Sequence, residues 1–169
     1  LNAGEQATQG IEFDATWNPT DALTITFATT LLDPVYDSFP DSASGDLSGQ
    51  TPSGIPETST SLGFNYDFTV ANWDSFIRAD WQYASNTDFF DDAANQALLE
   101  SVGYTREVNN VNASLGFISE NGLGVTFWSR NLFDDERITT AFPSVAQAGS
   151  LSGYPSQPRT YGVTVRKTF

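Results

Sequence analysis

Apolar and polar residues alternate along seven segments of this chain, and no other feature constrains its fold as strongly. A period of two is typical of a β-strand, whose successive side chains point to opposite faces of a sheet. In the first segment, Ile11 and Phe13 face one way and Glu12 faces the other. The seven segments cover residues 10–17, 23–31, 59–68, 75–85, 108–118, 124–133 and 158–169. The sequence therefore predicts an all-β chain of seven strands.

The connections between these strands alternate in length. Short turns follow the first, third and fifth strands, at residues 18–21, 69–72 and 119–122. Long polar stretches follow the second, fourth and sixth strands, at residues 34–57, 86–106 and 140–157. The first long stretch contains four prolines and no basic residue, which predicts a loop without strand or helix. The second long stretch includes a segment rich in Ala, Leu and Gln at residues 93–100, which favours a short helix.

This alternation is typical of an antiparallel transmembrane β-barrel, with short periplasmic turns and long extracellular loops. Its strands need about 9–11 residues to cross the bilayer at a tilt. A complete single-chain bacterial barrel has an even number of strands, whereas this chain has seven. We therefore expect the chain to be part of a larger barrel, with the missing strands N-terminal to Leu1.

Composition excludes several function classes. Seven basic residues against 21 acidic ones give a net charge of -14, which argues against a nucleic-acid partner because phosphate binding needs cations. The chain has no Cys and no His, so the commonest general base and the commonest transition-metal ligands are missing. No catalytic set can be recognised, and we predict no enzyme activity, no cofactor and no metal site. There is no run of 18 apolar residues that could form a membrane-spanning helix.

Two motifs near the C-terminus carry a family resemblance. Residues 131–134 read Asn-Leu-Phe-Asp, and the last segment begins Pro-Arg-Thr-Tyr-Gly at 158–162 and ends on Phe169. Together they resemble the end of the TonB-dependent receptors, the outer-membrane active transporters of Gram-negative bacteria. Three further segments are similar to the family, at residues 10–13, 17–20 and 53–57. One departure is Lys167, which stands where the family usually has a hydrophobic or aromatic residue.

The resemblance implies a fold and a function. Members have a 22-stranded barrel occluded by an N-terminal plug, so residues 1–169 would form the last strands of such a barrel. The plug and the segment that contacts the TonB complex would lie in the missing N-terminal part. Members import iron–siderophore complexes, haem, cobalamin or carbohydrates across the outer membrane, and we expect an iron–siderophore first among these. Implied partners are outer-membrane lipid, lipopolysaccharide, the TonB complex, the nutrient and the barrel-assembly machinery.

Four groups of residues are candidates for functional roles. Ligand-binding candidates in the second long stretch are Asp88, Phe89, Phe90, Asp91 and Asp92. Residues predicted to face the barrel lumen, where they contact the plug and water, are Glu12, Asp14, Asp67, Arg78 and Asp80. Aromatic residues predicted to anchor at the membrane interface, near the short turns, are Trp17, Phe68 and Trp73. Residues that resemble the family's assembly signal are Tyr161, Val163, Val165 and Phe169.

Alternatives remain open at this point. The acidic cluster of the second long stretch fits a solvated loop, or a loop that contacts divalent cations bridging lipopolysaccharide, better than a cation site, because its spacing is not that of an EF-hand-type loop. A small passive outer-membrane barrel with a structural or adhesive role would need an eighth strand, which residues 1–9 supply poorly. A secreted acidic β-sandwich that binds carbohydrate would leave the alternating loop lengths unexplained.

Overall fold

The computed structural model describes residues 4–147 and 149–169. Nine strands and one helix form in this part of the chain. The strands are β1 (Glu5–Thr20), β2 (Leu23–Ser38), β3 (Thr58–Val70), β4 (Trp73–Ala84), β5 (Val108–Ser119), β6 (Leu123–Arg130), β7 (Ile138–Pro143), β8 (Leu151–Pro155) and β9 (Thr160–Lys167). The helix is α1 (Ala93–Ser101).

Seven strands form one antiparallel sheet in the order β1-β2-β3-β4-β5-β6-β9. The remaining two, β7 and β8, form a separate hairpin. The all-β fold, the seven-stranded sheet and the helix of the second long stretch are thus confirmed. Within the described residues β1 and β9 do not pair with each other, so the sheet is open and each of them forms an edge.

All long connections leave the sheet at one end, and all short turns lie at the other. We name the long connections the first loop (residues 39–57), the second loop (residues 85–107) and the third loop (residues 131–159). The second loop contains α1, and the third loop contains the β7–β8 hairpin. We call the two ends of the sheet the loop end and the turn end.

The register gives the sheet two different faces. Directly opposed residues of antiparallel strands have their side chains on the same face. Trp17 lies opposite Ile25, and Ile25 lies opposite Phe64. On the other face, Glu12 lies opposite Thr30. Apolar residues of neighbouring strands therefore share one face, and polar residues share the other.

The pairing of β6 with β9 resolves a face assignment that the sequence leaves ambiguous. Val125 and Phe127 lie opposite Val165 and Val163, so they belong to the apolar face. Trp128 belongs to the polar face, where its indole N–H donates to the hydroxyl of Thr164 at 3.2 Å, and its ring covers Gly162.

Gly116 on β5 is covered in the same way. A Cβ atom at this position would lie 2.2 Å from the ring of Phe76 on β4, so only glycine fits beneath that ring. An aromatic ring over a strand glycine protects the backbone that the glycine leaves bare. Phe76 in turn supports the guanidinium of Arg78, which lies 4.3 Å from the ring centroid.

The prediction of an irregular loop from residue 34 is wrong at its beginning. β2 continues to Ser38, and β1 begins at Glu5 to pair with it. β3 begins only at Thr58, opposite Leu31, so the next residues of β2 pair with β1 on one side and meet the first loop, rather than another strand, at the edge on the other side. Pro34 fits there because an edge requires no ladder N–H.

Two further boundaries differ from prediction. β6 ends at Arg130 rather than continuing to residue 133, because Asn131 adopts a left-handed backbone with φ of 50°. The third long stretch is not irregular throughout, since Ile138–Pro143 and Leu151–Pro155 pair as a hairpin. Pro143 and Pro155 lie at the ends of their strands, where proline is tolerated.

The buried apolar side chains of the described residues lie at the loop end rather than between layers of the sheet. They include Pro34 in β2, Leu47 in the first loop, Leu99 in α1 and Ile138 in β7. Large apolar side chains on the sheet are exposed, among them Ile11, Val163 and Val165. No helix in the described part of the chain is long and apolar enough to cross a membrane.

Candidate ligand-binding loops and the two faces of the sheet

The predicted ligand-binding cluster lies where the second loop meets the first. The backbone N–H of Gly54 donates to the carbonyl of Asp88 at 3.0 Å. The backbone N–H of Ser53 donates to the carboxylate of Asp91 at 3.1 Å. The hydroxyl of Tyr36 lies 3.5 Å from the same carboxylate. We call these contacts the loop junction, because they hold the first and second loops together.

Asp92 has a different role, as the N-cap of α1. Its side chain accepts the backbone N–H of Asn95 at 2.8 Å. An N-cap aspartate satisfies one of the N–H groups that the first helical turn leaves without a partner. This contact explains why α1 begins where it does.

A buried glutamine organises the centre of the second loop. The side chain of Gln96 donates to the carboxylates of Asp88 and Glu100, each at 3.0 Å. Its carbonyl oxygen accepts the backbone N–H of Phe89 at 2.9 Å. All the hydrogen-bonding groups of this amide are therefore used inside the loop.

The electrostatics of the cluster are unfavourable to one of its carboxylates. Partial burial raises the pKa of Asp88, and repulsion from Glu100 and Asp91 raises it further. A raised carboxyl pKa means that the folded loop destabilises the charged form. The second loop is therefore more stable when the carboxyl of Asp88 is protonated.

The two aromatic members of the cluster form a tilted pair, with their ring centroids 6.5 Å apart. The guanidinium of Arg106 lies 5.1 Å from the ring centroid of Phe89, which is a cation–π distance. Phe90 lines a small cavity of about 260 Å³ between the first and second loops, with Gln50 and Glu100. The structure thus brings the five predicted residues together and gives the three carboxylates partners within the chain. Their role in ligand binding stays a prediction.

The residues predicted to face a lumen share the polar face of the sheet. Asp14 lies opposite Ala28, and Asp67 lies opposite Phe76. Asn112 donates to the carboxylate of Asp80 at 2.8 Å. A polar groove of about 510 Å³ runs along this face over β3, β4, β5, β6 and β9, and Arg78 and Asp80 line it with Arg130, Trp128 and Thr164. Among the described residues, no cluster of three His, Cys, Asp or Glu forms a metal site.

The predicted membrane anchors and assembly residues share the apolar face. The ring of Phe68 stacks on that of Tyr66 at 5.6 Å, close to the turn end. Trp17 is exposed three residues before the end of β1, and Trp73 begins β4. Tyr161, Val163 and Val165 are exposed on the outer edge strand β9. Phe169 lies beyond the end of β9 and is fully exposed.

The sequence did not predict a pocket at the loop end between α1 and the β7–β8 hairpin. It has a volume of about 540 Å³. Its lining residues are Leu98, Leu99, Val102, Tyr104, Ile138, Gly149, Ser150, Leu151, Ser152, Gly153 and Pro155. We call it the α1–hairpin pocket. The apolar residues of α1 could have indicated one wall of this pocket. The other wall is the β7–β8 hairpin, which the sequence analysis did not predict.

Comparison with known families decides the classification. A family model described as "TonB dependent receptor-like, beta-barrel" matches residues 1–132. The chain belongs to the TonB-dependent receptor β-barrel family. Members of this family are transport receptors rather than enzymes. A comparison with curated proteins finds no match.

The solved structures that are similar to this TonB-dependent receptor chain include the following two. One is the ferric yersiniabactin uptake receptor FyuA from Yersinia pestis, with a TM-score of 0.76 and 16% identity over 99% of this chain and 24% of that chain. The other is BauA, the ferric preacinetobactin receptor from Acinetobacter baumannii, with a TM-score of 0.67 and 21% identity over 98% of this chain and 22% of that chain. At these identities the likeness shows the fold. The chain spans about a quarter of the length of these receptors.

Proposed function

We propose that this chain is the C-terminal part of an outer-membrane receptor that imports a scarce nutrient with energy from the TonB system. Membership of the TonB-dependent receptor family carries the proposal. An iron–siderophore complex is the first candidate, because FyuA and BauA are receptors for ferric complexes. Haem, cobalamin and carbohydrate are the remaining candidates.

The two faces of the sheet support an outer-membrane location in a Gram-negative bacterium. A barrel strand in the membrane presents apolar residues to lipid and polar residues to the lumen. Val163 and Val165 would contact lipid, while Arg78 and Asp80 would face the lumen and a plug. The loop end would be extracellular, in contact with lipopolysaccharide and the nutrient, and the turn end periplasmic.

The open sheet supports the proposal that the receptor is larger than this chain. An unpaired strand edge inside a bilayer leaves backbone N–H and C=O groups without partners, at a cost of several kcal/mol for each group. β1 and β9 would therefore pair with strands from the rest of a 22-stranded barrel. The plug and the TonB-contacting segment would precede these strands. The barrel-assembly machinery would read the terminal strand through Tyr161, Val163, Val165 and Phe169.

Uptake of iron by the native host tests the proposal. Cells would be grown under iron limitation with ferric siderophores labelled with radioactive iron, and uptake compared between wild type, a strain without this receptor and a strain without TonB. We expect both deletions to abolish uptake of the same complex. Unchanged uptake of every tested iron complex, haem, cobalamin and carbohydrate in the receptor deletion would contradict the proposal.

The mass of the native polypeptide provides a second test. We expect intact mass spectrometry of outer-membrane fractions to find a protein several-fold heavier than the 18.4 kDa of this chain. A membrane protein of 18.4 kDa would instead favour a small passive barrel.

A further inference from the structure

We infer that Lys167 binds the phosphate of an anionic phospholipid, of the phosphatidylglycerol type, in the periplasmic leaflet of the outer membrane. The inference rests on the proposed function, because it needs the apolar face of the sheet to contact lipid. It adds a binding site and the chemical class of its ligand. Three observations support it: the face on which Lys167 lies, its level along the strands, and the free donors of its ammonium group.

Lys167 is an isolated charge on the apolar face of the sheet. It lies opposite Leu123 and shares its face with Val163 and Val165. Strands β3, β4, β5, β6 and β9 carry seven charged side chains, of which only Lys167 is on this face. The other six belong to the polar face: Asp67, Asp74, Arg78, Asp80, Arg130 and Arg166. A cation on the lipid face is costly at the middle of a bilayer and tolerated near its surface.

The register places Lys167 at the turn end, in one row with a tryptophan. Trp73 lies opposite Ser119, whose hydroxyl accepts the backbone N–H of Leu123 at 3.1 Å. Leu123 in turn lies opposite Lys167. These four residues therefore form a row across β4, β5, β6 and β9. Tryptophan is enriched at the level of the lipid headgroups, so the same level is expected for Lys167.

The ammonium group of Lys167 is held at the turn end and has free donors. Its Nζ donates to the carbonyl of Asn121, in the turn between β5 and β6, and the side chain is exposed. An ammonium group has three N–H donors, so this contact leaves two for an acceptor outside the chain. In residues 4–147 and 149–169 the only ion pair joins Arg137 to Asp135. No carboxylate in that part of the chain therefore neutralises Lys167.

A lipid phosphate with a net negative charge fits this group. Phosphate oxygens are strong acceptors for an ammonium group, and a lipid that covers the apolar face brings its phosphate to the level of Lys167. A zwitterionic phospholipid already carries a cation beside its phosphate, so an anionic lipid gains more from the contact. Asp21 and Glu120 lie in neighbouring turns and repel anions. We therefore expect one bound headgroup rather than a layer of anionic lipid.

The lipid composition beside Lys167 can be measured at position 123. The full-length receptor, with trifluoromethyl-phenylalanine in place of Leu123, would be reconstituted in nanodiscs of equal parts phosphatidylglycerol and phosphatidylcholine. Fluorine relaxation would be recorded with a nitroxide on one lipid or on the other. The new ring faces lipid, so the variant is expected to fold, and heat-modifiable migration checks this. Labelled phosphatidylglycerol should relax the fluorine about fivefold more strongly than labelled phosphatidylcholine, as expected for one cation at a membrane surface.

Three substitutions in this labelled receptor locate the effect. Lys167→Gln removes the charge and should bring the ratio of the two relaxation effects close to one. Lys167→Arg keeps the charge and should stay within about twofold of the unsubstituted ratio. The matched control is Arg166→Gln, which removes the adjacent charge on the polar face and should also stay within about twofold. Salt at about 0.5 M should lower the unsubstituted ratio, because it screens exposed charges.

Three results would overturn the inference. The first is a ratio near one with Lys167 present. The second is an equal fall in Lys167→Gln and Arg166→Gln, which would indicate a general effect of charge. The third is a ratio near one combined with poor membrane assembly of Lys167→Gln, which would assign Lys167 to a protein partner.

TonB-dependent uptake by strains carrying the same substitutions separates failure of this inference from failure of the proposed function. Uptake without enrichment of phosphatidylglycerol would refute the lipid site alone. Enrichment without uptake of any nutrient would refute the transport proposal alone.

Discussion

Asn131 should be the residue whose loss most loosens the beginning of the third loop. It is 6% exposed and has a left-handed backbone with φ of 50°. Its side-chain N–H₂ group donates to the carbonyls of Asp135 and Gln157, each at 3.0 Å. Its side-chain oxygen accepts the backbone N–H of Asp135 at 2.7 Å. The residue thus joins both ends of the third loop.

The cost of Asn131→Ala follows from these contacts. Three hydrogen bonds at about 1 kcal/mol each give a loss of about 3 kcal/mol. Alanine in the left-handed region adds about 1 kcal/mol, a cost that asparagine largely avoids. Asn131→Gly removes the hydrogen bonds but tolerates the backbone, so it should cost about 1 kcal/mol less than the alanine variant.

Hydrogen exchange in the reconstituted full-length receptor measures this effect. The reporter is the amide of Leu132, which donates to the carbonyl of Val111 at 2.7 Å and makes no bond to the Asn131 side chain. A loss of about 4 kcal/mol in Asn131→Ala should accelerate its exchange by roughly a thousandfold, and a loss of about 3 kcal/mol in Asn131→Gly by roughly a hundredfold. The matched control is Asn95→Ala on α1, a half-buried asparagine in the second loop.

Three results are expected together: fast exchange in Asn131→Ala, somewhat slower exchange in Asn131→Gly, and wild-type exchange in Asn95→Ala. If the Leu132 amide of Asn131→Ala stays within about threefold of wild type, the hydrogen bonds do not hold the loop and the reasoning is refuted.

Three further predictions concern the sheet and the second loop. Gly116→Ala should lower the folding stability by about 1–3 kcal/mol through overpacking against Phe76. Adding Phe76→Ala removes the clash and should recover part of that loss, measured by heat-modifiable migration. Losses of stability that simply add in the double variant would contradict this. Val163→Arg should destabilise the receptor in lipid vesicles by about 2–4 kcal/mol and Thr164→Arg by much less, and equal losses would refute the face assignment. The raised pKa of Asp88 means that the folded second loop binds the carboxyl proton more tightly than the unfolded chain does, so the stability of the second loop should fall as pH rises above about 4. Asp88→Asn should flatten that dependence in hydrogen exchange, and an unchanged pH profile would contradict it.

The strands of the sheet were predictable because apolar and polar residues alternate along them. Where one face meets apolar surroundings and the other meets polar ones, the period of two appears directly in the sequence, as in Ile11, Glu12 and Phe13. The pattern fades where both faces of a strand are polar. β1 therefore continues from Gly10 back to Glu5 without any signal, since backbone hydrogen bonds to β2 hold this part whatever the side chains are.

Contacts between residues far apart in the chain explain why the structure of the loops was not predicted from the sequence. Pro34 suggests a loop, yet it stays in β2 because β3 begins only at Thr58 and so no strand requires an N–H from Pro34 on that side. The carboxylates of the second loop suggest a ligand site from the sequence, but the sequence does not show that Asp91 receives an N–H from Ser53, which lies 38 residues away in the chain. No local sequence pattern predicts such a partner. The α1–hairpin pocket has the same origin, because its two walls come from different loops.

The loop junction has a consequence for protein engineering and for immune recognition. Gly54 and Asp88 join the first and second loops, which are separate in sequence. Replacing either loop with a loop from another receptor would therefore remove a hydrogen-bond partner of the loop that remains. Functional chimaeras should require both loops to be transplanted together. An antibody raised against the intact surface should likewise recognise residues of both loops, and a peptide copied from either loop alone should bind it poorly.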